Sequence, residues 1–141
     1  MEIKAKRESL LATLYWTQSI VERRNTMPIL ANVLFEVVKG SIRVTATDLE
    51  VGVRGEVEGD VIKEGTVTVS AKKIYENIRE VPHEVVHIKR LENDWVEIRS
   101  GKSVFKIVGI DAKEFPQFPK FDGKALSTTQ ITRFPVKWLY E

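Results

Sequence analysis

Thr66-Val-Thr-Val-Ser-Ala-Lys-Lys-Ile-Tyr-Glu76 reads as a strand that runs directly into a helix, and the chain uses the same device again. Ile131-Thr-Arg-Phe-Pro-Val-Lys-Trp-Leu-Tyr-Glu141 has the same shape, with Lys137, Tyr140 and Glu141 answering Lys72, Tyr75 and Glu76. A weaker copy opens the chain at Ile3-Lys-Ala-Lys-Arg-Glu-Ser-Leu-Leu11. Self-similarity at a fixed period marks repeated units of one supersecondary design. The third unit reaches Glu141 within the first turns of its helix, which points to a piece of a longer modular protein.

Working outward from the middle copy, each unit reads β-α-β-β-β. In the first, residues 2–6 alternate as a short strand and residues 7–21 carry Leu10, Leu11, Leu14, Gln18 and Val21 at helical spacing without Pro or Gly. Glu22 to Pro28 is a charged, turn-prone loop that ends at a proline unable to extend a helix. Residues 29–38 are apolar on both faces and are expected to be buried. Ile42, Val44 and Ala46 alternate with Arg43, Thr45 and Thr47, and Val51, Val53 and Val57 alternate with charged residues, as strands with one wet face do. Gly40 sits at the first hairpin, where positive φ is often required. In the second unit Ile74, Ile78 and Val81 form a stripe ended by Pro82, and strands follow at about 85–91, 95–100 and 103–110, joined by turns at Glu92-Asn-Asp94 and Ser100-Gly-Lys102. Two units therefore predict an α+β domain with two helices packed on antiparallel sheets of about eight strands. The boundaries fall at 1–121 for this domain, 122–130 for a linker and 131–141 for the start of a second domain.

Composition bounds the function class. With 141 residues, 43% hydrophobic and 30% charged, the chain is an ordinary globular sequence long enough to bury a core. No run of 18 apolar residues is present, and the charged N-terminus lacks the apolar stretch of a signal peptide. There is no cysteine, so disulfides and thiolate chemistry are excluded and a cytoplasmic home is compatible. A net charge of +2 neither argues for a polyanion partner nor against one.

Catalysis needs a nucleophile with its base, paired carboxylates or a metal cluster. His83 and His87 straddle a turn and a strand without a third ligand, and read as surface side chains. Asp48 and Glu50 read as turn-capping carboxylates rather than an acid/base pair. No phosphate-binding glycine loop occurs. The sequence gives no ground for an enzyme, a cofactor or a metal. Arg23 and Arg24 form either a solvated turn or a phosphate contact, for which the guanidinium fork is suited. Lys72, Lys73 and Arg79 lie off the Ile74/Ile78 stripe, interleaved with Glu76 and Glu80; spacing alone fits a mixed soluble face, including a Lys72–Glu76 pair, as well as a basic one. Trp16, on the outer face of the first helix, packs on Tyr15 or the Arg24 loop, or stacks on a base or sugar. Phe105 and Ile107 leave one face of the last strand and Val104 and Val108 the other. That pattern fits a strand buried on both sides, or an edge strand that pairs with another chain.

The strings Arg24-Asn-Thr-Met-Pro-Ile-Leu-Ala-Asn-Val-Leu34, Thr45-Ala-Thr-Asp-Leu-Glu50, Val69-Ser-Ala-Lys-Lys73, Arg99-Ser-Gly-Lys-Ser-Val-Phe105 and Glu114-Phe-Pro116 together resemble the first domain of the bacterial sliding clamps, the beta subunits of replicative DNA polymerases. The resemblance runs in order over residues 1–121, and residues 131–141 resemble the start of the second clamp domain. It implies a processivity factor of three domains per chain, two chains closing head to tail as a homodimer ring around double-stranded DNA. The polymerase and the clamp loader bind a cleft in the later domains, which this stretch lacks. It implies that Arg24 and Lys72 touch DNA without sequence preference, with Arg23 and Arg79 beside them, and that helices line the central hole. It also implies that Phe105 and Ile107 meet the partner subunit, with Lys73 and Lys102 near acidic groups opposite. The rival reading is a stand-alone β-rich protein-interaction module that never meets DNA.

Overall fold

The computed structural model describes residues 1–21, 28–48 and 52–116. Arg23, Arg24, Glu50, the linker 122–130 and the segment 131–141 lie outside them. In chain order the elements are β1 (Glu2–Lys6), α1 (Arg7–Val21), β2 (Asn32–Val38), β3 (Ser41–Thr47), β4 (Gly52–Val57), β5 (Gly59–Lys63), β6 (Gly65–Ser70), α2 (Ala71–Glu80), β7 (Val85–Arg90), β8 (Trp95–Ser100) and β9 (Ser103–Ile110). The strands form one antiparallel sheet in the order β4-β3-β2-β6-β9-β8-β7-β1-β5.

The two predicted β-α-β-β-β units are present, and they exchange their first strands. β1 of the first unit pairs with β7 of the second, and β6 of the second pairs with β2 of the first. Neither unit can complete its sheet alone, which fuses the pair into one domain.

The described residues contain nine strands where the sequence predicts eight. The additional one, β5, is the continuation of β4 beyond Glu58, and it leaves β3 to pair with β1. β9 does the same within a single strand: Ser103–Val108 pair with β8, and Gly109 and Ile110 cross to β6. A glycine sits at each crossing because the backbones approach closely there. A side chain on Gly59 would collide with the Lys4 carbonyl, and one on Gly109 with the carbonyls of Asp94 and Thr68.

Two further sequence expectations are corrected. Residues 29–38 are not buried on both faces: Pro28–Ala31 form a 3-10 turn, and in β2 the buried Val33, Phe35 and Val37 alternate with half-buried Leu34 and Glu36. The wet face expected of β3 is covered, since Thr45 and Thr47 are buried. Arg54, paired opposite Thr45 on β4, donates from Nε to Thr45 Oγ1 at 3.2 Å and lays its apolar stem across the strand.

The core joins the sheet to the helices through Leu10 and Leu14 of α1 and Ala71, Ile74 and Ile78 of α2, packed with Ile3, Phe35, Val44, Val69, Ile88 and Ile98. A smaller cluster of Ile29, Leu30 and Phe115 packs with Leu34 and Ile110. The chain after β9 is therefore anchored by Phe115.

Candidate nucleic-acid interface

The helices lie antiparallel, and side chains at both ends fix the pairing. Near the start of α1, Arg7 donates from Nε to the Ile78 carbonyl at 3.2 Å and from Nη2 to the Arg79 carbonyl at 2.8 Å. These are among the last carbonyls of α2; that of Ile78 also accepts from the C-cap Val81 N–H at 3.3 Å, and a cation there suits the helix dipole. Near the end of α1, Gln18 Nε2 donates to the Ala71 carbonyl at 3.3 Å. Ser70 caps α2, its Oγ accepting from the Lys73 N–H at 3.3 Å.

This frame fixes what α2 exposes. Ala71, Ile74 and Ile78 point inward, and Lys72, Lys73, Glu76, Arg79 and Glu80 are exposed. Helical spacing places Lys72, Tyr75 and Arg79 along one stripe on the α1 side, with Glu76 and Glu80 further round the helix. The Lys72–Glu76 pair that the spacing allows is not made, and among the described residues neither Lys72 nor Arg79 forms an ion pair. The Arg79 guanidinium lies 5.9 Å from the centre of the Tyr75 ring. On α1, Trp16 packs edge-to-face against Tyr15, with ring centres 6.3 Å apart.

The second group of sequence-selected residues is less uniform. Ile107 is only 9% exposed and belongs to the core, and Phe105 is half-buried against it. Val104 and Val108 on the opposite face are 46% and 53% exposed, so β9 is not buried on both sides. Trp95, cross-strand neighbour of Val108 on β8, is exposed as well. Among the described residues, Ser103–Val108 have no strand on the side away from β8. Lys102 is exposed in the β8–β9 turn, where Gly101 has φ +58°.

The candidates for other chemistry stay apart. His87 Nε2 contacts Glu2 Oε2 at 2.7 Å across β1 and β7, while His83 is exposed. Asp48 is half-buried beyond the end of β3. Among the described residues no three His, Asp or Glu side chains gather to hold a metal, and no helix is long and apolar enough to cross a membrane.

The family described as DNA polymerase III beta subunit, N-terminal domain, matches residues 1–119. The Beta sliding clamp of Pseudomonas aeruginosa is 35% identical over 117 residues, covering 82% of this chain and 32% of that protein. That of Vibrio harveyi is 33% identical over 133 residues, covering 92% of this chain and 91% of that sequence. Against the P. aeruginosa and Vibrio cholerae relatives, the chain spans about a third of their length. Among solved structures, Caulobacter crescentus pol III beta superposes with a TM-score of 0.78 at 32% identity, over 84% of this chain and 33% of that one. The DNA polymerase III subunit beta from P. aeruginosa gives 0.79 at 32% identity, over 86% and 33%. Sequence match and superposition cover the same strand-exchanged pair of units, and the chain belongs to the family of the DNA polymerase III beta subunit, N-terminal domain.

Proposed function

We propose that this chain works as the first domain of a DNA polymerase processivity clamp. Joined to further clamp domains, it closes as a homodimer ring around duplex DNA and tethers the replicative polymerase, with the clamp loader as a further partner. It acts in the cytoplasm and catalyses no reaction. Residues 1–121 are the clamp domain, 122–130 a linker and 131–141 the start of the next domain.

The observation that carries the reading is the single helical face, on which Lys72 and Arg79 stand exposed without acidic partners while the strands lie behind. Few, mobile cations suit a ring that must hold DNA by topology and still slide, because phosphate contacts carry no sequence information. In this reading Arg24 and Lys72 touch phosphate, with Arg23 and Arg79 adding to the field. β9 supplies the subunit contact through its open edge, with half-buried Phe105 as its apolar anchor, the core-packed Ile107 supporting it from beneath, and Lys73 and Lys102 facing acidic groups. The exposed Val104 and Val108 beside that edge support an added strand.

In the full clamp, replacing Arg24 and Lys72 together by Ala should weaken duplex binding evenly across sequences and reduce the slope of log K against log salt by up to about two units. An unchanged slope would favour the stand-alone interaction module, and a loss confined to one base sequence would contradict contact through phosphate alone.

A further inference from the structure

The outward face of the helix pair is not only cationic. Between α1 and α2 runs an open groove of about 360 Å³, lined by Glu8, Leu11, Ala12, Tyr15, Trp16 and Tyr75. Tyr15 is 63% and Trp16 45% exposed, a large apolar area for helices that bury their other faces well. Phosphate contact alone gives no reason for aromatic rings here, since an even, sliding grip on duplex backbone needs only mobile cations.

The two walls of the groove differ in chemistry. Along α2 the stripe Lys72–Tyr75–Arg79 runs beside it, cation, ring and cation in turn, with Arg79 close to the Tyr75 ring. Across it stand Tyr15 and Trp16, and Glu8 is the one acidic side chain among the groove's lining residues. A ligand that satisfies both walls has a flat aromatic body and a negative charge a few ångströms away. A nucleotide with an unpaired base has both; a duplex presents its phosphates and hides its bases.

We propose that this groove holds unpaired nucleotides of single-stranded DNA, the base against Tyr15, Trp16 and Tyr75 and the phosphate toward Lys72 and Arg79. The inference rests on the reading of this face as the DNA-facing one and adds a second mode of grip. Stacking is indifferent to base identity and nearly indifferent to salt, so it retains a strand where duplex ends and the phosphate grip is halved.

The test titrates the 141-residue chain with oligo(dT), with an abasic strand of equal length and with duplex, at low and moderate salt, following anisotropy of the labelled DNA. The wild type should bind oligo(dT) about ten-fold more tightly than the abasic strand. Tyr15→Ala/Trp16→Ala should abolish that difference, leave the salt slope unchanged and leave duplex binding within about two-fold. Trp16→Phe should keep most of the preference, and quenching of tryptophan fluorescence by oligo(dT) should persist in Trp95→Phe and vanish in Trp16→Phe. Both aromatic positions are exposed, and circular dichroism checks that the variants fold. Equal binding of oligo(dT) and abasic strand by the wild type, or an unaltered preference in the double variant, overturns the proposal while duplex binding stands. Absence of DNA binding by the wild type, duplex included, overturns the DNA-facing assignment with it.

Discussion

Single side chains in this domain divide into those that hold it together and those that stand ready outside. Arg7 was unremarked in the sequence because it is one of several cations near the N-terminus; its task of closing the end of α2 depends on a tertiary approach that local pattern does not encode. Gly40, Asn93 and Gly101 lie in turns legible in the sequence and take φ of +71°, +59° and +58°, as turn chemistry requires, whereas the capping role of the Ser70 hydroxyl emerges only in the structure. Glu2 and His87 form a partly exposed pair whose consequence is a pH dependence. The hydrogen bond from His87 lowers the carboxyl of Glu2 below its usual value of 4.5, with nearby Lys89 adding to the effect. A depressed acid contributes stability above its unfolded pKa and loses it as the pH falls through the folded one. Wild type should therefore lose stability relative to Glu2→Gln as the pH falls below about 4.5, as chemical denaturation at each pH would report. Parallel profiles for the two proteins would mean that the contact contributes nothing in solution.

Strands and helices were read most surely where one face was apolar and the other polar. α2 met that condition, and Ile74 and Ile78 are buried with Lys72 and Arg79 outside. β5 does not: Val61 is half-buried and its neighbours are exposed, so this edge strand carries no alternating pattern that would mark it in sequence. Its pairing with β1 depends on Gly59, and Gly59→Ala should destabilise the domain by about 1–3 kcal/mol through the clash with Lys4. A melting temperature unchanged by that substitution would show that β5 pairs too loosely to matter. β9 carries the other element-level expectation. Because Ile107 sits in the core, Ile107→Ala should cost about 2–4 kcal/mol of domain stability as well as any association. Val104→Lys/Val108→Lys alters only exposed positions, and in the full clamp it should convert dimer to monomer while the melting temperature stays within a few degrees. A variant that remains dimeric by native mass places the subunit contact elsewhere.

The domain as a whole is a pair of repeats locked by exchanged first strands, and that is why the repeat could be seen in sequence but the exchange could not. Periodicity reports what a segment is, whereas the choice of β7 as partner for β1 is made by burial across the assembled sheet. The same limit applies to the site: cations were legible as residues, but the aromatic groove between α1 and α2 exists only once the helices lie side by side. In the proposed function the clamp holds DNA by enclosure, and few exposed cations would keep its phosphate contacts weak. The most direct measurement is retention of the full clamp, loaded on a nicked DNA circle, before and after the circle is cut once. Enclosure predicts that the protein stays on the circle through a moderate-salt wash and runs off within minutes of linearisation, whatever the sequence at the cut. Equal retention on circular and linear DNA, or equal loss from both, would contradict it.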